Sequence, residues 1–226
     1  MWSRIGARVL ALATLVALAG TSLAAQGTND DIRSSKHNFS ATSRNPAFNN
    51  LAVADYGEVC AYCHTPHGGQ TQAPLWNRAF GTGPYQAYAS PTIDMTIGAP
   101  SGVSLACLSC HDGTIGIDVI TNPPNSSTAT PTGRTLAQIY PTGVDAFKNL
   151  GTDLRNDHPI SVVYDPTRDP MFNPLATVKA AGLKFYGGGV DEVQCATCHN
   201  PHNKTNVPFL RMSNAGSQLC LTCHIK

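Results

Sequence analysis

The sequence predicts a mostly irregular fold, with short helices and a few short strands wrapped around something other than its own side chains. Three observations predict it. The 226 residues include 20 Gly and 16 Pro but only two Trp, seven Phe and seven Tyr, too little large apolar surface for a strong core. The eight cysteines all fall in close pairs, at 60/63, 107/110, 195/198 and 220/223. The segments between the pairs are punctuated by Gly, Pro, Ser and Asn instead of carrying long helical or strand periodicity.

The N-terminus is of different character from the rest. Arg4 and Arg8 precede an apolar run from Val9 to about Ala19, and small residues follow around Ser22, Leu23 and Ala24. This charged, apolar, small-residue order predicts a secretory signal peptide over residues 1–24, cut after Ala24 or Ala25. The run is too short for a membrane span, and no later segment approaches that length. The expected mature chain, 25–226, is therefore secreted: extracellular or at the cell surface, or else periplasmic. With 15 Lys and Arg against 14 Asp and Glu over the full 226 residues, a net charge of +1 gives no electrostatic footprint for nucleic acid.

In an exported chain, cysteines by default suggest disulfides. Here each pair is spaced C-x-x-C and is followed at once by histidine: His64, His111, His199 and His224. C-x-x-C-H is the haem c attachment signature. Two thiols two residues apart on a helical turn reach the two vinyl groups on one porphyrin edge, and the next residue offers an imidazole to the iron from the same side. Structural zinc on four thiolates would leave the four trailing histidines without a role. The cofactors expected are four haems c, bound through Cys60, Cys63 and His64; Cys107, Cys110 and His111; Cys195, Cys198 and His199; and Cys220, Cys223 and His224. The fold class is accordingly a mostly irregular multihaem cytochrome c fold around a chain of four haems.

Haem iron takes two axial ligands. Beyond the four proximal histidines the chain has four more, His37, His67, His158 and His202, which match the four distal positions. Met95, Met171 and Met212 are the competing ligand type and read as packing residues. His67 and His202 each lie three residues after a proximal histidine, in Cys63-His64-Thr65-Pro66-His67 and Cys198-His199-Asn200-Pro201-His202. That is too close to cross to the far face of the same ring, so each is expected to serve another haem. Their prolines stiffen the backbone and push the preceding residue out of the helical region.

The chain also holds a degenerate repeat. CAYCHTPH (60–67), PLWNR (74–78) and ACLSCH (106–111) are followed later by CATCHNPH (195–202), PFLR (208–211) and LCLTCH (219–224). The repeat defines di-haem modules 60–111 and 195–224, the first with an insert between residues 81 and 102. Between the modules, residues 121–135 read as an exposed loop. Ile160–Tyr164 and Leu183–Tyr186 read as strands, with Gly187–Gly189 as a turn into another strand ending near Cys195. Asp157 is placed either to accept a hydrogen bond from a ligand histidine or as a solvated turn residue.

Ser35-Lys36-His37-Asn38, CAYCHTPHGG with PLWNR, CLSCHDG and Asp157-His158-Pro159 together resemble one family. It is the extracellular tetrahaem cytochromes of metal-reducing bacteria that polymerise into nanowires, of the outer-surface cytochrome E type. The resemblance implies closely spaced bis-histidine haems and a head-to-tail homopolymer in which one distal histidine serves a neighbour's haem. On this chain the candidate is His37, in a polar segment well ahead of Cys60. Redox partner cytochromes are implied as well.

Electron transfer without bond chemistry is the expected function, because bis-histidine iron has no open position, and no catalytic residue is assigned. The repeating unit of an extracellular filament is the leading form, with a discrete periplasmic tetrahaem carrier as its alternative. A multihaem oxyanion reductase would need one of the four spare histidines not to be a ligand.

Overall fold

The computed structural model describes residues 32–40, 53–125, 127–143 and 146–225, and the expected signal peptide lies outside them. Most of this chain is irregular. Five short α-helices lie wholly within the described residues: α1 (Gly102–His111), α2 (Leu136–Ile139), α3 (Leu175–Ala180), α4 (Cys195–Cys198) and α5 (Gln218–Cys223). The strands β1 (Val162–Val163) and β2 (Glu192–Val193) form one antiparallel pair, with Val162 opposite Val193 and Val163 opposite Glu192. Among the described residues no helix is long and apolar enough to cross a membrane.

The core is divided in two, along the line of the sequence repeat. One cluster gathers Phe39, Val53, Tyr56, Tyr62, Ile117, Ile120 and Leu136, with Cys63 and Cys110 packed against it. The other gathers Val162, Tyr164, Val178, Leu183, Val193 and Leu219, with Cys198 and Cys223 packed against it. Each small core thus backs one pair of C-x-x-C-H motifs. Met95 and Met212 pack into the second core, whereas Met171 is exposed.

The strand at Ile160–Tyr164 contracts to β1, and the strand before Cys195 is β2. Leu183–Tyr186 is no strand. It contributes a single bridge, in which the Tyr186 and Glu192 N–H groups donate to each other's carbonyls at 3.0 and 2.6 Å. The three glycines at 187–189 all have positive φ, and a Cβ on Gly187 would come within 2.8 Å of the Glu192 side chain, so the turn leaves too little straight backbone for a longer ladder. The 121–135 loop is largely exposed, but its far end is fixed. The Asp118 carboxylate accepts from Thr132 N–H (2.7 Å), Thr132 Oγ1 (2.8 Å) and Gly133 N–H (3.0 Å), and from Ala54 N–H (2.9 Å).

Candidate haem-binding site

Each C-x-x-C-H motif closes one helical turn. The proximal histidine N–H donates to the carbonyl of the first cysteine at 2.8 Å for His64–Cys60, 3.0 Å for His199–Cys195 and 2.9 Å for His224–Cys220. His111 instead ends the longer helix α1. The first motif is a hydrogen-bonded turn with no continuing helix, whereas the others sit on α1, α4 and α5. His199 and His224 leave their helices in extended conformation, which releases the imidazole from the helix side.

The repeat is structural. In the first module Thr65 N–H donates to Leu75 (2.9 Å) and Asn77 N–H to Cys63 (2.9 Å). In the second, Asn200 N–H donates to Phe209 (2.7 Å) and Arg211 N–H to Cys198 (2.8 Å). The bend between these bonds uses a left-handed residue in both, Leu75 at φ 66° and Phe209 at φ 60°. Even the side-chain brace corresponds: Asn77 Nδ2 donates to the Ala61 carbonyl (2.7 Å) and Arg211 Nε to the Ala196 carbonyl (2.7 Å).

The motifs follow one another in space as they do in sequence. Burial and the adjacent Cys110 push the Cys63 thiol up to about 12. The neighbouring Cys195 thiol together with burial holds the Cys107 thiol well above its usual range. Burial, Cys198 and Cys220 raise Cys223 to about 11. Motifs 1 and 2 therefore share one core and motifs 3 and 4 the other, and the Cys195 N–H donating to Ser104 on α1 joins motif 3 to motif 2. No cysteine is in a disulfide, and among the described residues no three or more His, Cys, Asp or Glu side chains gather as a single-ion site.

The spare histidines test whether haem fits this frame. An iron held between two imidazole nitrogens, about 2 Å from each, separates the ring centres by about 6 Å. Three histidine pairs have this spacing. His64 and His202 are 6.0 Å apart, His37 and His111 6.3 Å, and His158 and His224 6.4 Å. Each pairs a proximal histidine with a spare one. The residues also have ligand chemistry. His111, His158 and His199 place Nδ1 against the carbonyls of Lys148 (2.7 Å), Pro159 (2.9 Å) and Pro208 (3.0 Å), which leaves Nε2 for a metal. Burial, helped by neighbouring imidazoles, lowers His64 and His37, the latter to about 4, and burial lowers His111. These rings are neutral and able to coordinate at neutral pH. His67 and His199 are exposed and belong to none of these three pairs, although His199 lies near enough to His37 and His111 to lower both.

The structure places His37 within its own chain and favours one of the two readings of Asp157. His37 does not extend toward a neighbour. Asn38, Phe39 and Ser40 behind it are buried, Phe39 packs edge-on to Tyr62 at 5.4 Å, and the His37 ring stacks on Phe209 at 4.7 Å. Burying Phe39 draws the segment back onto its own chain, where His37 meets His111. Nor does Asp157 orient a ligand. The acceptor beside His158 is the Pro159 carbonyl. Backbone carbonyls fill this role at His111, His158 and His199, and residue types cannot signal them. Sequence reasoning also missed Arg78, fully buried, which ties the first module to α1. Its position in PLWNR was the one available signal.

A family described as the doubled CXXCH motif matches residues 188–226, the second module and the approach to it. No curated protein matches the chain. The doubled motif indicates a multihaem c-type cytochrome, a protein that binds haem c and transfers electrons.

Proposed function

We propose that the chain carries four bis-histidine haems c, has no substrate chemistry of its own, and is secreted to serve as the repeating unit of a head-to-tail filament that passes electrons to external acceptors. The observation that carries this reading is the set of three histidine pairs at 6.0–6.4 Å, each joining a C-x-x-C-H histidine to a spare one. Haem supplies the reversible one-electron couple. The protein supplies the rest: cysteine pairs at fixed spacing, neutral imidazoles oriented by carbonyls, and a frame that sets the motifs in linear order.

The repeat supports the filament. It equates His64 with His199 and His67 with His202. Within the chain, His202 of the second module faces His64 of the first. The same relation carried one step further brings His67 of a second copy to His199, the proximal histidine outside those three pairs. A contact of this kind is heterologous and does not close on itself, which is the geometry of a fibre. The trans ligand is therefore His67, in place of His37.

The test is carbon monoxide binding to the reduced, natively secreted protein, with electron microscopy of the same sample. Assembled wild type should show no spectral change. His67→Ala should lose filaments and leave about a quarter of the haem reactive. His202→Ala and His37→Ala should each open about a quarter while filaments persist. Intact, unreactive filaments of His67→Ala would sink the assembly reading. Reactive wild-type filaments would favour an enzyme with an open iron.

A further inference from the structure

We infer that the iron site between His37 and His111 has the highest reduction potential of the four, because the second ring nitrogen of His37 has no hydrogen-bond acceptor. This rests on the haem reading above and adds a ranking of sites to it. His111, His158 and His199 each hold Nδ1 within 3.0 Å of a carbonyl, and the His64 ring is exposed, with the Leu75 backbone beside it. His67 and His202 are exposed, so water is available to them. In His37, Nδ1 is buried and unpartnered, although the residue as a whole is only half-buried. Nε2 would then be the nitrogen that takes the metal.

The missing acceptor has a direction of effect. An imidazole N–H that donates to a carbonyl gains basicity and gives more electron density to its metal, which favours the ferric state. His37 lacks that push. Burial adds to the effect, since ferric iron carries one more positive charge than ferrous and a dry site disfavours it. A buried unpaired polar atom carries a cost that native proteins seldom accept without a role.

The module comparison identifies what keeps Nδ1 dry. The left-handed bend places Leu75, 54% exposed, in the first module and Phe209 in the second. Phe209 lies over the His37 ring at 4.7 Å with 20° between planes. A flat aromatic cover excludes water and offers no acceptor in the imidazole plane. Phe209 is thus a tuning residue for a site formed by the other module.

The test is a potentiometric titration of the complete secreted holoprotein, with single haems followed by NMR. His37→Met replaces nitrogen by a thioether at this site alone, so the wave it displaces belongs to the site. That wave should be the first to be reduced in wild type, and displacement of any later wave overturns the inference. Should His37→Met fail to assemble, nitrogen NMR of the unmodified reduced protein decides. The His37 Nδ1–H should resonate as a free N–H, apart from those of His111, His158 and His199, and grouping with them overturns the inference. Phe209→Ser should admit water and shift the same wave to lower potential, and an unmoved wave refutes the shielding. Failure of the haem reading itself would appear separately, as a mass short of four haems.

Discussion

The two modules share a backbone and differ in how it is braced. In both, two ladder bonds and a left-handed residue fold the chain back onto its C-x-x-C-H turn, and the side chain three residues after the proline of PLWN or PFLR reaches the motif's alanine carbonyl. In the first module that work is divided. Asn77 takes the alanine carbonyl, while Arg78, fully buried, donates to the carbonyls of Ile117 (2.8 Å), Gly116 (2.6 Å) and Ser109 (3.1 Å) and to Ser109 Oγ (3.3 Å). In the second, half-buried Arg211 donates to Ala196 and to the Tyr186 hydroxyl (3.0 Å). There the last motif is held by Asn173 and Tyr164, which both donate to the Cys223 carbonyl. The difference teaches that the turn around the cofactor is invariant, while the brace between motifs is local invention, costly to remove only where it is buried.

The largest test of that contrast is Arg78→Met against Arg211→Met. Removing Arg78 takes the donor from the buried Ile117 and Ser109 carbonyls, while Gly116 keeps the Val119 N–H, and should cost about 3–5 kcal/mol, the range seen when a buried charged group's bonding is broken. Arg211→Met should cost about 1 kcal/mol, since the groups it leaves can reach solvent. Denaturant unfolding of the holoprotein measures both, and equal losses would remove the distinction between the modules.

Much of this arrangement is legible in the residues, for reasons that can be named. The cysteine and histidine spacing exposes covalent chemistry that no tertiary context can override, and the doubled motif over residues 188–226 supports the haem c reading there. The PLWNR and PFLR segments announced a shared turn because a left-handed bend after proline recurs with its flanking residues. Three things were illegible. Carbonyl acceptors such as Lys148 and Pro208 have no side-chain signature. The fold-back of His37 depends on Phe39 finding Tyr62, a contact across 23 residues that periodicity cannot reveal. The strand at Leu183–Tyr186 failed because Gly187–Gly189 turn the chain before a ladder can extend.

Asp118 offers the next test, at intermediate size. Burial alone would raise its carboxyl, but N–H donors from Ala54, Thr132 and Gly133 and the Thr132 hydroxyl outweigh burial and hold it below the usual range. A group whose folded pKa is depressed stabilises fully above its unfolded value, and that contribution is lost as pH falls below about 4. Acid should therefore release residues 53–54 and 132–133 of the first core before it disturbs the second. Asp118→Asn should remove about 2 kcal/mol at neutral pH and flatten this acid limb. Hydrogen exchange at stepped pH reads both, and simultaneous loosening of the two cores would show that Asp118 is not the acid-sensitive pin.

The smallest expected effect lies at the seam between the modules. Ser104 on α1 donates to Gln194 Oε1 and accepts from Cys195 N–H at 3.0 Å, at the start of α4. Gln194 is in turn held by Ser101, Ser161 and Glu192, and it is nearly fully buried. Small residues on α1 let α4 come close enough for Cys107 and Cys195 to touch, so the seam is polar where the two cores are apolar. Ser104→Ala keeps the packing but strands the Cys195 N–H, while Gln194 retains Ser161. The loss should be about 1 kcal/mol, confined to faster exchange of the amides at the start of α4. Both cores should keep their protection, because neither rests on this contact. Loss of protection throughout the second core would mean that the seam, and not the apolar cluster behind it, holds that module together, and the two-core description would fail with it.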